Sequence, residues 1–121
     1  MLKYIIFIIA ILSINFALAQ EQKEVTNYYN LVDVNKGTAK IKSIGKIDEN
    51  GFSIGKWKFF LENGDLEYII DFTLNVSEKY YSSGKLKEKG EFNPDTGKHI
   101  GKWIYYNKDG TIDIEKDKKQ L

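Results

Sequence analysis

Apolar and polar residues alternate along much of the chain after the first twenty residues. One face of residues 85–92 carries Leu86, Glu88, Gly90 and Phe92, and the other face carries only charged residues. β-branched and aromatic residues are frequent in such segments, and no apolar stripe with the 3.6-residue period of a helix is sustained. The pattern therefore predicts β-strands, and no helix, in this part of the chain.

Eight strands are predicted, each bounded by turn residues. Their ranges are 25–32, 38–48, 52–61, 65–72, 75–81, 85–92, 99–107 and 111–115. Asn63-Gly64 and Asp109-Gly110 are pairs typical of tight hairpin turns in which both central residues have positive φ. Consecutive strands joined by tight turns pair antiparallel, so the predicted fold is all-β, an antiparallel β-hairpin meander.

A stretch of the sequence occurs twice at an offset of 46 residues. Residues 54–60 (IGKWKFF) match residues 100–106 (IGKWIYY), and each stretch is followed by a turn glycine. Upstream, residues 40–47 match residues 85–92 at an offset of 45, so the turn between the two stretches is one residue longer in the second copy. Residues 80–84 (YYSSG) repeat the aromatic pair and turn glycine, which indicates two hairpins of about 23 residues in each unit.

These motifs resemble the MORN repeat, specifically the bacterial variant family that includes YwqK-like antitoxin component proteins. The resemblance covers residues 37–114. It implies an elongated, single-layer sheet built from MORN-like hairpins, and a binding protein of the antitoxin or immunity type. The middle hairpin departs from the family pattern because Ser77-Glu78-Lys79 stands where the motif has Gly-Lys-Trp.

The N-terminus has the layout of a signal peptide. Lys3 precedes an apolar run that is short for a transmembrane helix, and Ala17 and Ala19 occupy the −3 and −1 positions of a cleavage site before Gln20. An uncleaved membrane anchor is the alternative. We therefore expect export to the periplasm or the extracellular space after cleavage near Ala19, with no stable membrane anchor, and a cytoplasmic toxin as partner does not fit that route.

The predicted organisation of the chain has four parts. Residues 1–19 are the signal peptide, 20–36 an N-terminal lead-in with one strand, 37–114 the hairpin repeats, and 115–121 a charged C-terminal tail. The tail is expected to fray, since its residues are almost all charged or polar.

Composition removes most ligand classes. The 121 residues include no cysteine and one histidine, so a thiolate zinc site or a thiol nucleophile is excluded. All eighteen basic residues are lysine and the net charge is +1, so no guanidinium fork is available and nucleic acid is not an expected partner. His99 is interpreted as a solvated histidine at a strand end. We predict no catalytic residue, no cofactor and no metal.

Glycines inside strands need a physical reason, because glycine weakens a strand. Here the missing side chain either leaves room for a neighbouring aromatic ring or permits a bulge. A sheet without helices has to bury aromatic rings to form a core. The predicted repeat core is Gly55, Trp57, Phe59, Gly64, Leu86, Gly90, Phe92, Gly101, Trp103, Tyr105 and Gly110.

Adjacent aromatic residues on a strand point to opposite faces, so one of each pair is expected outside the core. The candidate binding surface consists of Phe60, Tyr80, Tyr81 and Tyr106. Such rings suit a non-catalytic module that binds another protein. The alternatives are recognition of a polysaccharide by exposed rings, and self-association through the edge strands.

Overall fold

The structure, a computed structural model, describes residues 21–118. These residues form one open, single-layer antiparallel sheet in which eight strands follow each other in chain order. The strands are β1 (Lys23–Tyr28), β2 (Ile41–Ile47), β3 (Ser53–Phe60), β4 (Leu66–Asp71), β5 (Val76–Tyr80), β6 (Leu86–Phe92), β7 (His99–Tyr106) and β8 (Ile112–Lys118). The predicted all-β meander is confirmed. The predicted signal peptide lies outside the described residues.

The ends of the sheet differ from the sequence prediction at two places. β1 ends at Tyr28, and a short 3-10 helix follows at Leu31–Asp33, where the side chain of Asn30 accepts a hydrogen bond from the Val32 N–H at 3.0 Å. β8 continues to Lys118, four residues into the predicted tail, because it pairs with β7 along its length. Within residues 21–118 no helix is long and apolar enough to cross a membrane.

The turns after β3, β5 and β7 share one geometry. In each, a residue donates its N–H to the carbonyl four positions on at 2.8 Å, and the glycine donates back to that residue at 2.9 Å. Gly64 and Gly110 have φ of +95° and +93°, whereas Asn63 and Asp109 do not have positive φ. The expectation of two positive-φ residues was therefore wrong: the loop is one residue longer, so a type I turn with a following bulge glycine closes it.

Strand pairing repeats as a unit of four strands, so that β1–β4 correspond to β5–β8. The Val25–Gly45 pair corresponds to Ser77–Gly90, and the Tyr28–Ile41 pair to Tyr80–Leu86. Pairs between β3 and β4 recur between β7 and β8 at an offset of 46 residues. The offset is 52 between β1 and β5 but 45 between β2 and β6, so the β1–β2 connection is seven residues longer than its counterpart.

The core consists of two tryptophans, each lying over a glycine of the preceding strand. Trp57 covers Gly45 and Trp103 covers Gly90, so closely that a Cβ on either glycine would overlap the indole. The indole N–H groups donate to the carbonyls of Lys46 at 3.0 Å and Glu91 at 2.8 Å. Trp57 is 5% exposed and Trp103 is 1% exposed. The prediction that strand glycines make room for aromatic rings is confirmed at these two positions.

Two further glycines create the bulges that let the indoles lie back over the neighbouring strand. Three residues of β3, beginning with Gly55, stand opposite the single Gly45, and Gly101 begins the equivalent bulge in β7. Their φ values are +62° and +64°. Strict alternation would place Gly55 and Gly101 in the core, but neither is buried, because the bulge interrupts the alternation.

The remaining predicted core residues divide by position. The side chains of Phe59, Leu86, Phe92 and Tyr105 are half-buried, whereas Gly64 and Gly110 are exposed at turns. Gly64 and Gly110 thus belong to the repeat through their backbone conformation rather than through packing.

Candidate functional site

Every odd-numbered strand ends on an aromatic residue that lies opposite an aliphatic residue at the start of the next strand. The register shifts just before each aromatic residue, so the same bulge recurs four times. The four pairs are Tyr28 with Ile41, Phe60 with Leu66, Tyr80 with Leu86, and Tyr106 with Ile112. Because all four connections lie at the same end of a meander, these pairs form a row along that end, here called the aromatic end.

Three of the four predicted binding-surface residues belong to this row. They are Phe60, Tyr80 and Tyr106, and the fourth member of the row, Tyr28, was missed in the sequence; all four are half-buried. A signal for Tyr28 exists, since Tyr28-Tyr29 repeats Tyr80-Tyr81, but the longer connection after it places it out of register with the other copies.

Tyr81, the fourth predicted residue, ties strands together. Its hydroxyl donates to the carbonyl of Tyr106 at 2.7 Å, and the Tyr29 hydroxyl donates to the carbonyl of Phe60 in the first unit. A lysine ammonium lies 5.5 Å from the Tyr81 ring and another lies 5.8 Å from the Tyr29 ring. These two tyrosine hydrogen bonds link the ends of strands that carry the aromatic row.

Tyr80 combines partial burial with a hydrogen bond to a carboxylate of its own strand. Burial of its phenol, followed by the hydrogen bond from its hydroxyl to Glu78 Oε2 at 3.0 Å, raises the pKa of Tyr80 to about 12. Burial disfavours the phenolate, and the adjacent carboxylate repels it. Tyr80 therefore acts as a neutral hydrogen-bond donor at physiological pH.

Replacing Tyr80 with phenylalanine is expected to flatten the loss of stability at alkaline pH. The pKa of Tyr80 in the folded state, about 12, exceeds its ordinary value of 10.0, so the stabilisation is complete below pH 10.0 and is lost as pH rises towards 12. Urea unfolding midpoints measured at intervals across that window provide the test, with Tyr81→Phe as the matched variant. Equal slopes for wild type and Tyr80→Phe would contradict the assignment.

The longer β1–β2 connection adds exposed apolar side chains to the aromatic end. Leu31 is 74% exposed and Val32 is 63% exposed, and no residue of the 3-10 helix is buried. The corresponding connection of the second unit is only five residues long, 81–85, and its one hydrophobic residue, Tyr81, is half-buried. Seven of the ten exposed large hydrophobic residues in the described chain lie at this end: Tyr29, Leu31, Val32, Val34, Ile41, Leu61 and Ile112.

Two shallow cavities meet at Phe60. The smaller, of about 330 Å³, lies at the aromatic end between Ile41 and the β3–β4 turn. The larger, of about 660 Å³, includes Lys46, Lys56 and Lys58. Lys46 pairs in register with Glu24, which also lines this cavity, and Lys56 pairs with Asp71, so the charge around the cavity is mixed. Mixed charge beside apolar surface suits a polypeptide better than a polyanion.

His99 is exposed, as expected, but it also covers the second tryptophan. Its ring stacks on Trp103 with centroids 3.6 Å apart and planes inclined by 10°. Ser53 begins β3 as His99 begins β7, so this cover is particular to the second unit. Among residues 21–118 no group of three histidine, aspartate or glutamate side chains is placed to hold a metal ion.

Comparison of the chain with protein-family models, characterised proteins and solved structures finds no match. The MORN-like pattern therefore stays a resemblance.

Proposed function

We propose that the protein is an exported, non-catalytic module that binds another protein at the aromatic end of its sheet. The observation that best supports this proposal is the seven-residue extension of the β1–β2 connection. The extension exposes Leu31, Val32 and Val34, whereas the second unit has a short turn at the same place. Exposed apolar side chains cost solubility and are typical of interaction sites. The proposal of export rests on the predicted signal peptide, and the binding role is the one that the resemblance to MORN-like proteins implies.

The chemistry of this end favours a protein partner over a polysaccharide. Stacking on a sugar requires the face of an aromatic ring to be open to solvent. The four rings of the aromatic row are half-buried, and Tyr29 is the only aromatic residue among the seven exposed hydrophobic residues at this end. Aliphatic side chains beside a rigid aromatic row, with lysine and glutamate at the margin, resemble the composition of a protein interface.

The proposal is tested with two matched double variants. Leu31→Ser/Val32→Ser removes exposed apolar side chains from the aromatic end, and Phe52→Ser/Leu74→Ser removes two residues, each 68% exposed, from the opposite end. A partner is first captured from envelope or culture-fluid fractions, identified and purified, and its affinity is then measured by calorimetry. We expect the first variant to lose roughly 30-fold or more in affinity and the second to bind as the wild type does.

Circular dichroism establishes that both variants keep their strands. Equal affinity in the two variants would place the interface elsewhere. Retention on insoluble polysaccharide, together with failure to bind any purified protein, would replace the proposal with the carbohydrate alternative.

A further inference from the structure

The two edges of the sheet are complementary by internal repetition. β8 is the counterpart of β4, and β1 is the counterpart of β5. Inside the chain β4 and β5 pair with each other, whereas in the described residues β8 and β1 each have a strand on one side only. The molecule therefore contains, at its centre, a junction between the same two kinds of strand that it presents at its edges.

We infer that β8 of one copy pairs with β1 of a second copy, in the register of the internal β4–β5 junction. That junction pairs Tyr68 with Lys79, Ile69 with Glu78, Ile70 with Ser77, and Asp71 with Val76. Transferred through the repeat, the intermolecular pairs are Ile114 with Asn27, Glu115 with Thr26, Lys116 with Val25, and Asp117 with Glu24. This association is independent of the partner proposed above.

Side-chain exposure along β8 supports the inference. In the first unit Leu66 and Tyr68 are half-buried, and Tyr68 pairs directly with Lys79 of β5. Their counterparts Ile112 and Ile114 are 55% and 43% exposed, because the described sheet ends at β8. A second copy's β1 supplies the strand that the repeat pattern has at this position.

Charge limits the strength of this contact. The last pair places Asp117 opposite Glu24, two acidic residues, where the internal junction has Asp71 opposite Val76. Like charges opposite each other destabilise a strand pair, and salt screens the repulsion. We therefore expect association at high protein concentration that strengthens with ionic strength. Because different edges meet, copies add head to tail and form a series rather than a closed dimer.

Engineered cysteines test the register directly, because the chain has none of its own. Proteins carrying Ile114→Cys and Asn27→Cys are mixed under mild oxidation, and the disulfide-linked heterodimer is followed with time. In the control mixture Asn27→Cys is replaced by Thr26→Cys, whose side chain points to the opposite face of the sheet. We expect the first mixture to cross-link at least about tenfold faster.

Each alternative outcome would overturn the inference. Equal rates in the two mixtures would show that the register is wrong, and faster cross-linking of either single variant with itself would show that like edges meet. Sedimentation velocity of the wild type provides a measurement that does not depend on cysteine geometry. A sedimentation coefficient that stays constant with protein and salt concentration would exclude head-to-tail association, whereas a rise that Ile114→Lys abolishes and Leu74→Lys preserves would support it.

Discussion

Replacing Gly45 with alanine is expected to destabilise the sheet by roughly 2–3 kcal/mol, the cost of overpacking a close-packed core. The indole of Trp57 lies on Gly45 so closely that a single methyl group would displace it. The displacement would also lengthen the hydrogen bond from the indole N–H to the Lys46 carbonyl, now 3.0 Å. Urea unfolding followed by far-UV circular dichroism measures the change.

Whether Gly45→Ala lowers or raises the free energy of unfolding shows whether the Trp57 indole leaves room for a methyl group. Gly45 has a backbone conformation that alanine adopts freely, and alanine reduces the entropy of the unfolded chain, so with room available the substitution would stabilise the protein by about 0.4–1 kcal/mol. In a Trp57→Ala background we therefore expect Gly45→Ala to be neutral or stabilising. An equal loss of stability in both backgrounds would show that the indole is not the cause. Gly90→Ala, with and without Trp103→Ala, repeats the same cycle in the second unit.

The existence and order of the eight strands follow from local sequence signals. Alternating residues have period two in a strand, and each pair of strands is separated by residues that favour turns. The prediction that the turn before Gly101 is one residue longer than its counterpart is also confirmed. The backbone N–H of Asp48 donates to the carbonyl four residues on, that of Phe52, whereas the backbone N–H of Asn93 donates to the carbonyl five residues on, that of Lys98. Local patterns of this kind do not depend on which distant residues meet.

One reason predicted for a glycine inside a strand, that it permits a bulge, is confirmed at Gly55 and Gly101. The size of each bulge and the glycine that it faces lay beyond prediction, because both depend on how the strands pair. Nothing near Gly55 or Gly101 in the sequence shows that three residues will stand opposite one glycine of the neighbouring strand. That arrangement depends on an indole finding a glycine about a dozen residues earlier in the chain. Strict alternation therefore assigned Gly55 and Gly101 to the core. In the structure neither is buried, and each instead adopts the positive φ at which its bulge begins.

The candidate site was predicted only in part, because its full extent also depends on how the strands pair. Phe60, Tyr80 and Tyr106 follow a sequence pattern, and the pairing of strands brings them into one row. Tyr28 belongs to the same row, but the longer connection after it conceals the equivalence until strand pairing reveals it. The exposure of Leu31 was also hidden, because the strand predicted over residues 25–32 extended through it, whereas the structure turns away after Tyr28.

Replacing Trp103 with alanine is expected to unfold β6–β8 while leaving β2 and β3 folded. The indole is 1% exposed, donates a hydrogen bond to Glu91, and stacks against His99. Removing a buried tryptophan costs roughly 3–5 kcal/mol, which approaches the total stability of a small domain. The extensive contacts of each strand are with its immediate neighbours in the sheet, as in other repeat proteins, so the loss is not expected to spread along the whole sheet.

Hydrogen exchange resolved by peptide distinguishes local from global unfolding. In Trp103→Ala we expect protection to be lost from β6–β8 and kept in β2 and β3, with Trp57 remaining as a fluorescent reporter of the first unit. The reciprocal Trp57→Ala variant should lose protection in β2–β4 and keep it in β7. Uniform loss of protection over all eight strands in both variants would contradict this expectation. It would mean that the β4–β5 junction couples the two units so strongly that neither can unfold alone.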